Sequence, residues 1–217
     1  MTQYQHYQPM HMALHERCFP HTLMEGVWLW SVYSEEKTMY FNGYLVQTGE
    51  QEALITDPPC GGPDVLESFA ALPRPTCILL TNADHEREAE LFKAHFNIPV
   101  YCPEPDTSLL SHRPDFTYQD GHTFPGGWRA IHLPDQKTPG ESALYHEGRK
   151  LLILGDALIG KPYQRLSMLP PEKYRNPKNA RLGLQRLQEL EVSAILPGDG
   201  DPILLNPTGL ITEAIRE

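Results

Sequence analysis

Four short segments of the chain concentrate acidic, basic and imidazole side chains. Each segment follows an apolar run that predicts a β-strand. The segments are 81–87 (TNADHER), 136–140 (QKTPG), 155–157 (GDA) and 197–200 (PGDG). Carboxylates and imidazoles are common ligands of divalent metals and common proton acceptors in catalysis. Because ligands and catalytic groups collect at strand ends in α/β layers, we expect the four segments to form one site.

Together with two earlier segments, these sequences resemble the metallo-β-lactamase superfamily, particularly its glyoxalase-II-like hydrolases. The family motifs are N-x-Y-L-V, D-P-G, T-H-x-H-x-D-H, P-G-H-T-P-G-S, G-D and P-G-H-G. The corresponding sequences here are NGYLV (42–46), DPP (57–59), TNADHER (81–87), DQKTPGES (135–142), GD (155–156) and PGDG (197–200). The resemblance spans residues 28–202. It implies an α/β fold, a four-layer αββα sandwich with the active site at one edge of its two sheets.

The resemblance also implies a metal centre, and here the chain departs from the family pattern. Family members usually bind two metal ions, commonly zinc, iron or manganese, and a bridging hydroxide attacks an ester, thioester, amide or phosphodiester. The metal makes hydroxide available because it lowers the pKa of bound water to about 7. Asp156 stands unchanged at its ligand position. The other ligand positions hold Asn82, Asp84, Glu86, Arg87, Lys137 and Asp199.

A second alignment of the first motif gives a different set of candidate ligands. If two residues are deleted after Thr81, Asp84 and His85 match the family D-H pair. The candidate ligands are then Asp84, His85, Asp156 and Asp199, and the first two histidines of the motif are still missing. Under either alignment, the usual histidine-rich dinuclear zinc centre is not expected.

Several carboxylates are expected to converge in one cleft, namely Asp84, Glu86, Asp156 and Asp199. Such a cluster needs cations, because like charges raise one another's pKa. We favour an arrangement without a cofactor, in which Arg87 and Lys137 take the places of the two metals. Neither side chain can act as an ordinary ligand while it is charged. The alternative is one divalent cation, Mg²⁺, Mn²⁺, Ca²⁺ or Zn²⁺, among the oxygen ligands.

Two functions follow from these two arrangements. The first is a protein without the usual dinuclear zinc hydrolase activity, which binds a ligand or a partner. The second is a metal-dependent hydrolase of ester or thioester-type substrates with a carboxylate-rich site. In that hydrolase Asp156 and Asp199 would ligate the metal, and Asp84 or Glu86 would ligate it or act as a general base.

Alternating short strands and helices are predicted to position these loops. Strands are predicted at 27–33, 40–47, 52–57, 76–81, 98–102, 128–133, 142–146, 150–154 and 193–196, and helices at 64–72, 86–96 and 177–190. Asp57, at the end of the third strand, is interpreted as a turn former. Residues 25–217 are expected to form a single domain after an N-terminal extension (1–24) that could pack on the domain. The histidines of that extension are interpreted as belonging to a surface segment and not to a metal site; they are His6, His11, His15 and His21.

Composition argues against several classes of partner. The 217 residues include 18 Lys and Arg against 28 Asp and Glu, which gives a net charge of −10. General binding to nucleic acid or to anionic membranes needs a basic surface. No apolar run approaches the ~20 residues that span a bilayer. The first residues do not resemble a secretory signal, so we expect a cytoplasmic protein with reduced cysteines and a small-molecule ligand in the cleft. The sequence gives no indication of oligomeric state.

Overall fold

A seven-stranded sheet forms the first half of the molecule. The computed structural model describes residues 16–216 of the chain. The strands of this sheet are β1 (His21–Met24), β2 (Val27–Ser34), β3 (Met39–Gln47), β4 (Glu52–Thr56), β5 (Arg74–Leu79), β6 (Val100–Pro103) and β7 (Phe116–Tyr118). They lie side by side in chain order. Strands β1 to β4 pair antiparallel, and β4 to β7 pair parallel.

A five-stranded sheet forms the second half. Its strands are β8 (Thr123–Phe124), β9 (Trp128–His132), β10 (Ser142–His146), β11 (Leu151–Leu154) and β12 (Ala194–Pro197). Their spatial order is β12-β11-β10-β9-β8, in which β11 and β12 are parallel and the other pairs antiparallel. The helices are α1 (Pro63–Ser68), α2 (Ala89–Phe96), α3 (Pro177–Gly183) and α4 (Leu210–Arg216).

Three apolar clusters hold these elements in four layers. One cluster lies between the two sheets and includes Tyr44 and Trp128. A second packs α1 and α2 on the outer face of the first sheet, through Phe92 among others. A third packs α4 and the segment after α3 on the outer face of the second sheet, through Leu184 and Ile211 among others. The order helix–sheet–sheet–helix confirms the predicted αββα sandwich.

The predicted strands are found with small shifts at their ends, whereas the helices are shorter than predicted. Helix α2 begins at Ala89 and not at residue 86, because Arg87 has a φ of 37°, which is incompatible with a right-handed helix. The predicted helix 177–190 is α-helical only to Gly183 and continues as the 3-10 segment Leu184–Glu189. Strands β1, β7 and β8 and helix α4 are not among the predicted elements.

The first sheet begins inside the segment that the sequence assigned to an extension. Strand β1 lies within the predicted extension (1–24) and packs on the domain through its pairing with β2. His21 lies in β1 and contacts the carbonyl oxygen of Phe19. Residues 1–15, with His6, His11 and His15, lie outside the described residues, and so does Glu217.

Candidate functional site

The site lies where the loops after several strands meet at one edge of the sandwich. Asp57 follows β4, and the segment 81–87 follows β5. Lys137 lies in the loop between β9 and β10. Asp156 follows β11, and Asp199 follows β12. Side chains that are far apart in sequence therefore converge at this edge, as the sequence predicted.

His85 is the centre of a buried polar cluster. Its Nδ1 lies 3.0 Å from Asp57 Oδ2, and its Nε2 lies 3.1 Å from Asp156 Oδ1. Asp199 Oδ1 lies 3.8 Å from the same Nε2. All four side chains are buried. His85, Asp156 and Asp199 offer ligand atoms that lie within 4.8 Å of one another, so this triad could hold a metal ion.

The imidazole of His85 is held in a strongly anionic environment. Burial and the nearby Arg87 oppose its protonation, but the carboxylates of Asp57 and Asp156 outweigh them and raise the pKa of His85 to about 10. Burial likewise favours the neutral form of Asp156, yet His85 and Lys137 hold the pKa of the Asp156 carboxyl well below its usual range. His85 and Asp156 therefore interact as an imidazolium and a carboxylate, which gives a charge-assisted hydrogen bond.

Asp57 is part of this cluster and not only a turn former. It has a φ of 46°, in the left-handed region that few non-glycine residues adopt. Its Oδ1 accepts a hydrogen bond from the backbone N–H of Thr81 at 2.8 Å, and its Oδ2 accepts one from Thr81 Oγ1 at 2.7 Å. Asp57 thus joins the end of β4 to the loop after β5 and also positions His85.

Lys137 bridges two carboxylates at the cleft surface. Its Nζ lies 2.8 Å from Asp156 Oδ2 and 2.7 Å from Asp84 Oδ2. Partial burial disfavours the charged ammonium, but the two carboxylates raise the pKa of Lys137 above its ordinary value. Lys137 therefore remains a cation.

Arg87 pairs with Asp199, the second carboxylate near Nε2 of His85. Its Nη2 donates to Asp199 Oδ1 at 2.7 Å, and its Nη1 donates to the carbonyl oxygen of Asn42 at 3.3 Å. The guanidinium also lies over the ring of Phe41, with its central carbon 4.8 Å from the ring centroid. Burial raises the pKa of Asp199, while His85 and Arg87 oppose that effect. The guanidinium supplies the positive charge that this buried carboxyl needs in order to ionise.

Glu86 does not join the cluster, so the expectation that it converges there is wrong. Its carboxylate oxygens accept hydrogen bonds from the backbone N–H groups of Ser111 and His112, each at 2.7 Å. Its Oε1 also lies 3.1 Å from His112 Nδ1. Glu86 follows a 3-10 turn (Ala83–His85), and this geometry directs it to a neighbouring loop. The Glu86 carboxylate therefore holds the loop at Ser111 and His112 in place and does not point toward the cluster around His85.

Asn82 lies beneath the cluster and is fully buried. Its Oδ1 accepts from the backbone N–H of His85 at 3.1 Å, which caps the 3-10 turn. Its Nδ2 donates to Glu141 Oε2 at 2.9 Å, and Glu141 Oε1 accepts from the backbone N–H of Ala157 at 3.2 Å. Burial and the nearby Asp156 raise the pKa of Glu141 well above its ordinary value, although His85 opposes the shift.

Sequence reasoning missed two buried acids that tie these loops together. Glu141 is one, and Asp106 is the other. Asp106 accepts from the backbone N–H groups of Ala83 at 2.7 Å and Gly140 at 2.6 Å. Neither acid is in a motif that predicts a site, although Glu141 stands where the family motif has serine. Both are recognisable only once the folded chain shows which backbone donors they satisfy.

The cluster forms the floor of a cleft with a volume of about 490 Å³. Asp84, His85, Arg87, Lys137, Asp156 and Asp199 all line it. Its walls are apolar and its remaining charged residues are lysines. The wall and lysine residues are Lys37, Met39, Phe41, Pro59, Ile159, Lys161, Leu169, Pro170 and Lys173. The volume is within the range of about 300–1,000 Å³ that is typical of small-molecule sites.

The chain belongs to the metallo-β-lactamase superfamily. A family profile described as "Metallo-beta-lactamase superfamily" matches residues 23–216, which is most of the sequence. This match agrees with the sandwich fold. A comparison with curated proteins gives no significant match.

Solved structures of the same fold are similar to this chain over most of its length. A metallo-β-lactamase from Pontibacter korlensis is 17% identical, with a TM-score of 0.73 over 91% of this chain and 96% of the other. A metallo-β-lactamase family protein from Thermus thermophilus is 18% identical, with a TM-score of 0.66 over 90% and 78%. A β-lactamase domain protein from Burkholderia ambifaria is 15% identical, with a TM-score of 0.70 over 95% and 77%. At these identities the similarity establishes the fold.

The structure also bears on membrane insertion. Among residues 16–216, no helix combines the length and the hydropathy that crossing a bilayer requires.

Proposed function

We propose that the cleft is a small-molecule binding site whose carboxylates are neutralised by the protein's own cations, and that the protein is not a dinuclear metal hydrolase. The observation that carries this proposal is the position of Lys137. Its ammonium group lies within 2.8 Å of carboxylate oxygens of both Asp84 and Asp156. Asp156 is the residue that matches the family's metal-bridging carboxylate.

Two metal ions do not fit this donor set. A second ion would need ligands where Lys137 and Arg87 lie, and both side chains are cations that donate hydrogen bonds. Asn82, at a family histidine position, directs its amide group to Glu141 and away from the cleft. A metal at Asp156 would have to displace an ammonium that already neutralises the carboxylate.

The cluster can still bind and orient a ligand. Asp84 has 46% of its side chain exposed and Lys137 has 33%, so both can present a polar group to a molecule in the cleft. His85 and Asp156 lie below them and hold Lys137 in place. The apolar walls would exclude water from one side of the ligand, and this strengthens polar contacts at the floor.

A second candidate function is a hydrolase with a single divalent cation, of the glyoxalase-II-like type. The triad of His85, Asp156 and Asp199 favours this candidate, since one nitrogen and two carboxylate oxygens suit Zn²⁺ or Mn²⁺. A bound cation would polarise a substrate carbonyl and lower the pKa of water. Asp84 has an exposed carboxylate and could accept a proton from the attacking water.

A cytoplasmic location remains part of the proposal. All four cysteines, Cys18, Cys60, Cys77 and Cys102, are free thiols. Free thiols persist in the reducing cytoplasm, whereas disulfides are usual in exported proteins.

Calorimetric titration with ZnCl₂ and MnCl₂ tests the proposed function. The wild type is expected to show no saturable binding at the cleft. The Lys137→Met variant frees Asp84 and Asp156 and is expected to bind a divalent cation more tightly than the wild type. Lys178→Met removes an exposed lysine outside the cleft and should behave as the wild type does. Saturation of the wild type at one cation per chain would replace the proposal with the single-cation hydrolase.

A further inference from the structure

Three lysines surround the opening of the same cleft. Lys37 lies in the turn between β2 and β3, and Lys161 and Lys173 lie in the long segment between β11 and α3. All three are exposed. The two segments face each other across the cleft, and Lys161 connects them. Its Nζ donates to Thr38 Oγ1 at 2.7 Å and to the carbonyl oxygens of Lys37 and Thr38, each at 3.2 Å.

The cleft has an excess of positive charge in an acidic protein. Four lysines and one arginine line it, against three carboxylates. Lys137 and Arg87 pair with those three carboxylates at the floor. None of the three lysines at the opening pairs with these floor carboxylates among residues 16–216. Lys37 pairs with the exposed Glu36, and the nearby charge of Lys173 also helps to lower the pKa of that carboxyl. The chain as a whole carries a net charge of −10, so this local excess is not a property of the general surface.

The walls between the floor and the lysines are apolar. Met39 and Phe41 come from β3, and Ile159, Leu169 and Pro170 come from the facing segment. A ligand that fills the cleft therefore contacts carbon atoms along its length and ammonium groups near the opening. Apolar burial supplies affinity that is not specific for charge, and the ammonium groups select for a negative end group.

We propose that the cleft binds a small amphiphilic anion, a molecule with an apolar body and a terminal carboxylate or phosphate. The apolar body would lie against Phe41 and Leu169. The anionic group would contact Lys37 and Lys173 at the opening. This inference rests on the proposed function as a small-molecule binding site and specifies the chemistry of its ligand.

Probes that share an eight-carbon chain test the inference. Octanoate, octyl phosphate, 1-octanol and octylamine are titrated into the full-length protein below their micellar concentrations, and binding is followed by calorimetry or ligand-observed NMR. Binding is expected to be tighter for one or both anions than for the alcohol or the amine, which share only the apolar chain. The stronger of the two anions identifies the carboxylate or the phosphate as the preferred group. Equal binding of all four probes, or of none, would overturn the inference.

A pair of matched lysine variants separates a local contact from general charge. Lys173→Gln is expected to weaken the binding of the preferred anion about fivefold, the size of one exposed charge interaction. Lys178→Gln removes the same charge from an exposed position in α3 and is expected to leave the affinity unchanged. Equal losses in both variants would contradict a lysine contact in the cleft.

The outcome is distinguishable from failure of the proposed function. If the anions do not bind and the wild type takes up no metal, the ligand class is wrong and the proposed function is unaffected. If the anions bind as expected and the wild type also holds a stoichiometric metal ion, the ligand class stands and the metal-free proposal fails.

Discussion

Two cations, Lys137 and Arg87, determine what the site can do. Each contacts a carboxylate that lies near Nε2 of His85, Lys137 through Asp156 and Arg87 through Asp199. In a buried cluster, carboxylates are costly unless cations or hydrogen-bond donors compensate them. Here the side chains of the chain itself supply that compensation. The cluster is therefore both a structural element and the floor of a binding cleft.

Replacing Lys137 should destabilise the protein. Lys137→Met leaves the buried Asp156 without its ammonium partner, and we expect a loss of about 2 kcal/mol in the free energy of unfolding. This value lies between those for exposed and buried pairs, because a third of the Lys137 side chain is exposed. Urea denaturation measures it. The exposed pair of Lys150 with Glu191 provides the control, and Lys150→Met should have a much smaller effect, because solvent screens an exposed pair. Equal effects of the two substitutions would argue against a compensating role for Lys137.

Glu86 should behave as a structural residue. Glu86→Gln weakens the acceptor for the N–H groups of Ser111 and His112 and should cost about 1 kcal/mol at neutral pH. It should leave the affinity for anionic probes unchanged. A change in probe affinity without a change in stability would indicate that Glu86 contributes to ligand binding and is not only structural.

The pH dependence gives a second check on Glu86. Burial favours its neutral form, but the N–H donors of Ser111 and His112 lower the pKa of Glu86 below its ordinary value of 4.5. Its stabilisation is therefore present above the unfolded-state pKa and is lost as the pH falls through the lower, folded-state pKa. The stability difference between wild type and Glu86→Gln should shrink on acidification. A difference that stays constant down to about pH 3 would contradict this assignment.

At the scale of single residues, the sequence identified the charged groups better than their contacts. Arg87, Lys137, Asp156 and Asp199 come together because each follows a strand end, and strand ends are readable from apolar runs. The direction in which the Glu86 side chain points could not be predicted from the sequence. It depends on a 3-10 turn and on backbone donors that are 25 or 26 residues away in the chain.

At the scale of elements, the loops that form the site pack so closely that the backbone of one touches a side chain of another. Gly198 follows β12, and its backbone N–H donates to the carbonyl oxygen of Leu154 at 2.7 Å. A Cβ at Gly198 would lie 2.5 Å from Cε1 of His85, which is closer than real contacts allow. The absence of a side chain here leaves room for the imidazole.

Gly198→Ala should therefore disturb the cluster. Overpacking against His85 is expected to cost about 1–3 kcal/mol. Gly49→Ala is the matched control, since its nearest neighbour would be 3.7 Å away and its φ is not in the left-handed region. Thermal unfolding of both variants measures the difference. A Gly198→Ala protein as stable as Gly49→Ala would mean that His85 can move without cost.

The strand pattern was more predictable than the helix lengths. Strands such as β11 and β12 are continuous apolar runs that are buried in the sandwich. Helices α1 and α3 both continue into 3-10 segments, and local sequence does not distinguish the two hydrogen-bonding patterns. The two-residue β8 lies below the length at which periodicity can be recognised.

At the scale of the whole molecule, the net charge of −10 conceals an opposite local charge. The cleft contains more cationic than anionic side chains, whereas the protein as a whole is acidic. An acidic surface would repel anions in general, so an anionic ligand would have to approach the opening of the cleft itself. Composition alone could not show this local excess of positive charge, because the four lysines and one arginine that line the cleft come from separate parts of the chain.

The fold is that of a superfamily in which metal ions commonly support hydrolysis, yet fold does not determine chemistry. The same loops that hold metals in relatives here hold an ammonium and a guanidinium against carboxylates. The central claim is that these internal cations replace the metal centre.

Elemental analysis of the full-length protein, purified without chelators and dialysed against metal-free buffer, tests this claim most directly. The account predicts far less than one equivalent of zinc, iron or manganese per chain. Retention of one or more equivalents per chain in the wild type, lost in the Asp156→Asn variant, would contradict it.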